Sequence, residues 1–279
     1  MNTPNDTARL LALVNSSGFP FQLRIAYEIR HMTPGAGWDI ISEEHAWKDE
    51  TGNEGFIDLV VGCNTAYDRL RMIMECKRTR NADWVFLVPL NGAGLNGTSI
   101  RAPWIGVPDS ALPSQVELGY YDFNIQPPSF ISEFCVVRGT GEGQTPMLEN
   151  LCRRLVSSAE GFARQETALS IATGRKLTRY YVPVIVTNAR LQVCRFNMEA
   201  ITVADGEIQT GECQEVPFVR FTKSLLTRNA MDPAARSVAD LNRDRQRTVL
   251  VVNGSHLISL LRDWGGVGMP PWGSGWLES

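Results

Sequence analysis

The sequence predicts an α/β protein with a central mixed β-sheet flanked by helices. Three observations carry that expectation: four extended segments crowd residues 38–90, a long amphipathic segment covers 145–173, and further β-branched runs follow it. A composition of 43% hydrophobic and 20% charged residues over 279 positions supplies a core large enough to hold them.

Taken in order, a first helix is expected over Thr7–Val14, stopped by "NSSG", and a second over Phe19–Met32, broken by "TPGAG". The segments "WDIISEEHAW" (38–47), "GFIDLVVG" (55–62), "RLRMIMECK" (69–77) and "DWVFLVPL" (83–90) then read as strands, because β-branched and aromatic residues dominate them. With "KDETGNEG" and "CNTAYD" as turns, the first three form a meander. Residues 91–144 are dense in Gly, Pro and Asn and read as an irregular insertion. The long helix follows: Thr145 can cap it and Pro146 suits its first turn. Met147, Leu148, Leu151, Leu155, Ala159 and Phe162 form its apolar stripe, and Gly174 can end it. "YYVPVIVTNARLQVCRF" reads as two strands about a tight turn at Asn188, and "EVPFVRF" and "RTVLVVN" as two more, separated by a polar helical piece. "GSHLISLLRDW" makes a last helix, and Trp264, Trp272 and Trp276 in or beyond it can pack on the body or on a partner. One domain over 1–279 is expected, with its core at about 19–90 and 145–197, the insertion at 91–144 and a C-terminal extension at 198–279.

Six cysteines at wide spacings, without a CxxC or a Cys/His pair, suggest reduced thiols rather than a zinc cage or a disulfide framework. The N-terminal residues lack a basic export leader and no apolar run exceeds strand length, so a cytoplasmic protein with no membrane partner is expected. A net charge of −3 argues against a protein that merely coats nucleic acid, but leaves room for a local basic groove.

The chemistry concentrates in "RMIMECKRTR", where Ile73, Glu75 and Lys77 share one side of an extended strand. Asp58 interrupts the apolar run "FIDLVV" one strand earlier, and a hairpin about "CNTAYD", within which the midpoint of Asp58 and Glu75 falls between Ala66 and Tyr67, sets the two acids roughly opposite each other. Two carboxylates facing each other in apolar surroundings call for a cation. On the second helix, Phe21, Ile25, Glu28 and Met32 follow one face, which places Glu28 on the apolar stripe as a further acid in need of a partner. Two hard carboxylates suit Mg²⁺ or Mn²⁺, and a nearby lysine can orient an attacking water as its ammonium or deprotonate it as its free amine, the components of metal-assisted phosphodiester hydrolysis.

Glu28, "GFIDLVV" with Asp58, and "MIMECK" with Glu75, Cys76 and Lys77 resemble the PD-(D/E)XK nuclease superfamily, whose fold is the restriction-endonuclease-like one. The segments that carry this likeness span about 19–90, with the long helix and "YVPVIVTN" completing the core; Ile57 stands where the family pattern has proline, and the long helix lacks the Gln-x-x-x-Tyr of the RecB-like branch. The resemblance implies that Asp58 and Glu75 hold a Mg²⁺ or Mn²⁺ together with the Cys76 backbone carbonyl, that Glu28 assists, and that Lys77 positions the water. It implies hydrolysis of DNA, with bacterial defence or restriction as the setting by analogy. An RNA substrate, a protein partner and a homo-oligomer stay open.

The competing expectation is a nuclease-fold module that binds nucleic acid or assembles with protein and no longer cleaves. The bland alternative for the acids is a buried ion pair of Glu75 with Lys77 or an arginine. "FCVVRGTGEGQTPMLENL", with Gly139, Gly141 and Gly143, lacks the residues of a Walker or dinucleotide loop and reads as a linker. The clusters "KRTR", "RKLTR" and "RDRQR" could track phosphates and Trp84 or Trp104 could stack on bases, although each is more often a solvated face or a core aromatic. His31, His45 and His256 share no ligand spacing, and Cys76 points away from Glu75 and Lys77, which disfavours a thiol nucleophile.

Overall fold

A computed structural model describes residues 4–32, 37–49, 52–63, 70–90, 97–107, 116, 118–138, 147–174, 177–225 and 236–266. The elements in chain order are α1 (Pro4–Ser17), α2 (Phe19–Arg30), β1 (Trp38–Lys48), β2 (Glu54–Cys63), β3 (Leu70–Lys77), β4 (Asp83–Pro89), β5 (Gly97–Val107), β6 (Gly119–Ser129), β7 (Ile131–Ser132) and β8 (Phe134–Arg138). They continue with α3 (Met147–Ala172), β9 (Leu177–Thr187), β10 (Arg190–Phe196), β11 (Gly211–Glu215), β12 (Phe218–Ser224), α4 (Val238–Asp244), β13 (Gln246–Asn253) and α5 (Leu257–Gly266). Among the described residues no helix is long and apolar enough to cross a membrane.

The architecture is mixed α/β: a nine-stranded mixed sheet flanked by helices, with a second sheet of four strands beside it. In the large sheet β1, β2 and β3 form the antiparallel meander, β3 and β13 run parallel to β9 on either side, and β12 and β7 continue beyond β13. The near-continuous apolar runs of β3 and β9 follow from this placement, because both of their faces are covered. One face carries α2 and α5, with Ile25, Ile29, Leu257 and Leu261 packed on Leu59, Met72, Met74, Val182 and Val184. The other carries α3 and the four-stranded sheet, with Leu151, Leu155 and Phe162 packed among Val60, Ile73, Tyr181 and Ile185.

Three expectations change. The described residues within 91–144 are mostly strand: they form β5 through β8, and β5 pairs with β6 and with the first half of β9. Strand pairing overrides the Gly and Pro content there, since Gly97 and Gly119 sit at strand ends and Pro127 near the end of β6. Within the expected C-terminal extension, β12 and β13 are equally part of the body, because they lie inside the large sheet. Finally, β9 and β10 do not pair across Asn188; β9 stays in the large sheet while β10 joins β4 in the small one. The chain between β3 and β4 makes the same change of sheet alongside it. Asn188 ties the two bends together, its Oδ1 accepting from the Thr79 N–H at 2.6 Å and its Nδ2 donating to the Thr79 carbonyl at 3.0 Å. The proposed cap at Thr145, Pro146, the Gly139–Gly143 loop, the centre of "CNTAYD", Trp272 and Trp276 lie outside the described residues.

Helix α3 is locked over the sheet by a buried polar cluster. Glu166 accepts from Arg71 Nε at 3.4 Å, Arg179 Nη1 at 2.6 Å and Tyr181 Oη at 3.0 Å, joining α3 to β3 and β9. Removing the acid deprives two arginines and a tyrosine of their shared acceptor, an effect of about 3 kcal/mol for a buried charge network. Glu166→Ala is therefore expected to lower unfolding stability by about 3 kcal/mol in urea titration; a loss below about 1 kcal/mol would show that the cluster does not anchor the helix.

Candidate active site

The β2–β3 ladder runs from Gly62↔Arg71 to Leu59↔Met74, and its register places Asp58 and Glu75 at the next opposed position. The ladder stops there. Instead of a backbone partner, the Cys76 N–H donates to Asp58 Oδ2 at 2.6 Å. A strand residue directs its N–H and carbonyl to the same edge, so the Cys76 carbonyl faces the side on which Asp58 lies.

The turn of Asp58 toward this edge has a visible cause. Along β2, Leu59 and Val61 pack with α2 and α5, while Ile57 and Val60 pack with α3, so the two-residue alternation slips at Asp58. The opposing residue on β1, by the register Glu43↔Leu59 and His45↔Ile57, is Glu44, whose backbone is left-handed at φ +46°. A non-glycine residue held in that region is a local distortion that the surroundings must maintain. Gln22 of α2, itself buried, helps to do so: its Nε2 donates to Glu44 Oε1 and to the Asp58 carbonyl at 3.4 Å.

On β3, Met72, Met74 and Cys76 pack with α2 and α5, whereas Ile73 packs with α3, so Glu75 and Lys77 belong to the α3 side. Glu75, Cys76 and Lys77 are half-buried. Burial drives the Cys76 thiol well above its ordinary range and keeps it protonated, which removes it as a nucleophile.

The electrostatics of the two acids follow from this crowding. Burial, then the negative charge of Asp58, push Glu75 up to about 7, with Arg154 and Lys77 opposing. Asp58 is also raised, by burial first; the Cys76 N–H, Arg154 and Lys77 pull it down while Glu44 pushes it up. Asp58 holds the hydrogen bond to the backbone, and Glu75 therefore retains a proton at neutral pH more readily than a surface glutamate does. Neither Lys77 nor Arg154 closes an ion pair with the acids; both act on them at longer range. The simple ion-pair alternative, Glu75 bonded to Lys77 or an arginine, is absent among the described residues.

Glu28 is placed elsewhere. The buried stripe of α2 is Gln22, Ile25, Ala26 and Ile29, which rotates Glu28 to the flank, where it pairs with Arg24 of the same helix. Both stripes satisfy the helical spacing, and packing on β1 and β3 selects the second. The residues that do surround Asp58 and Glu75, beyond Lys77, are Glu44, Gln22 and Arg154. Glu44 was nearly within reach of the sequence: a hairpin centred on "KDETGNEG" sets it opposite Leu59, one residue from Asp58. Gln22 and Arg154 carry no such signal. Trp84 is wholly buried and Arg247 stacks at 3.4 Å on the Tyr120 ring in the interior, so neither serves a nucleic-acid surface.

Among the described residues no group of three or more His, Cys, Asp or Glu side chains stands at metal-ligand spacing. The side-chain donors are thus the Asp58–Glu75 pair, with the Cys76 carbonyl as a backbone donor. No family model, no curated protein and no solved structure matches this chain.

The raised Glu75 sets a sign for pH dependence. Its folded value of about 7 exceeds the ordinary 4.5, so the folded state holds a proton that the unfolded chain has released, and the stability from this group is full below pH 4.5. That contribution, roughly 2 kcal/mol once solvent screening is allowed for, is lost as pH rises through about 7. Urea titrations across this range should show the loss in the wild type and a flatter profile in Glu75→Gln. Equal slopes in the two proteins would place Glu75 in water.

Proposed function

We propose that the chain is a divalent-metal-dependent nuclease of the PD-(D/E)XK type, with a restriction-endonuclease-like core, that hydrolyses phosphodiester bonds of DNA. The observation that carries this reading is the opposition of two half-buried carboxylates, Asp58 and Glu75, with no ion-paired lysine or arginine among the described residues, beside Lys77 on the same strand face as Glu75.

The donor set fits the ion. Mg²⁺ favours oxygen ligands, is commonly held by one or two carboxylates, and keeps the rest of its shell for water and substrate phosphate. Asp58 and Glu75 would hold it with the Cys76 carbonyl, and two side-chain donors suffice. When bound, such an ion acidifies a water and polarises a phosphate oxygen. The chain's own groups supply the remaining roles. The Cys76 N–H fixes the Asp58 carboxylate, leaving its second oxygen for coordination. Lys77 would position the attacking water through its ammonium group. Arg154, exposed on α3 and within electrostatic reach of both acids, stands where it can meet the phosphate charge. Glu44, with Gln22 as its brace, keeps the strand distortion that turns Asp58 to the edge.

The competing module, which binds DNA or a protein without cleaving, gains support from the absence of a third acidic ligand among the described residues. Incubation with plasmid and single-stranded DNA in Mg²⁺ or Mn²⁺ separates the two. The nuclease reading expects cleavage abolished by EDTA and lowered at least about 100-fold in Glu75→Ala and Lys77→Ala, with Glu28→Ala within about threefold of wild type. A wild type that cuts no DNA or RNA substrate in either metal supports the module.

A further inference from the structure

We propose that Cys194 and Cys213 form a reversible redox pair, closing to a disulfide across β10 and β11. The two residues are directly opposed in the antiparallel ladder, Cys194↔Cys213, between Val193↔Gln214 and Arg195↔Glu212. Opposed positions in such a ladder have Cα atoms about 4.5–5.5 Å apart, inside the window of about 4.4–6.8 Å that a disulfide spans. Both cysteines are free thiols in this structure. Gly211, diagonal to Cys194, leaves the room its sulfur uses: a Cβ there would lie 3.3 Å from Cys194 Sγ.

Position and exposure define how the pair reacts. Strand β11 is an edge strand of the four-stranded sheet, and Cys213 is exposed while Cys194 is half-covered. The remaining cysteines described on strands and helices are buried or half-buried in the two cores. Burial and the neighbouring Cys213 thiol push the Cys194 thiol up to about 11, so the exposed partner is the entry point for an oxidant. With a peroxide as oxidant, the Cys213 thiolate attacks one peroxide oxygen, the O–O bond breaks, and a sulfenic acid forms. Cys194, on losing its proton, attacks Cys213 Sγ; the S–S bond forms, the S–O bond breaks, and the departing hydroxide takes up the proton as water. Two thiols and one hydrogen peroxide thus give one disulfide and two waters. The closed loop, Arg195–Glu212, includes the exposed segment between the two strands, and closure fixes the β11 edge to β10.

The full-length chain is treated with one equivalent of hydrogen peroxide, alkylated and mapped by mass spectrometry after proteolysis. A peptide pair joined through Cys194 and Cys213, about 2 Da lighter than its reduced parts and released by dithiothreitol, is expected. Cys213→Ser and Cys194→Ser should each abolish the link, and both positions are open enough for serine to be accommodated. Cys213 recovered as sulfinic acid or joined to a second molecule, with Cys194 still alkylated, would overturn the proposal.

Discussion

The opposition of two carboxylates at the open end of the β2–β3 hairpin is the constraint around which this region is arranged. An ionised pair in such a place is unfavourable unless one acid is protonated, donors converge, or a cation arrives. All the local features answer that problem in part. The Cys76 N–H leaves the ladder to serve Asp58, Glu75 rises to about 7, and Lys77 and Arg154 sit near but unbonded. A proton on Glu75 relieves the repulsion below about pH 7, and the divalent ion proposed above would relieve it once that proton is lost.

The rest of the fold holds that arrangement still. Strand β3 is parallel to β9, so Glu75 and Lys77 lie beside Ile185 and Thr187 at the same end of the sheet. Helix α3 is pinned by Glu166 to Arg71, Arg179 and Tyr181, which fixes Arg154 at its other end. From the opposite face, Gln22 of α2 reaches the sheet edge and holds Glu44 in its left-handed backbone. Three elements from both sides of the sheet thereby meet at one position.

How much of this was legible in the sequence depends on the range of the interaction. The meander and the register of Asp58 against Glu75 followed from turn positions and two-residue alternation, which are local. Glu28 was misplaced because a helix with several apolar residues offers more than one stripe, and only packing against β1 and β3 decides between them. Pairing was the least accessible. β5 and β6 looked irregular because their Gly and Pro content masks strand character, and β10 left its neighbour β9 for β4, a partner about a hundred residues earlier. Glu44 fell between these cases, since the turn position gave its register to within one residue while its distorted backbone left no signal.

Diffraction from crystals soaked in Mn²⁺, recorded to locate the ion by its anomalous signal, tests the central claim most directly. The account predicts one peak about 2.1–2.2 Å from carboxylate oxygens of Asp58 and Glu75 and from the Cys76 carbonyl oxygen. No peak at saturating Mn²⁺, with Lys77 instead bonded to Glu75, would contradict it.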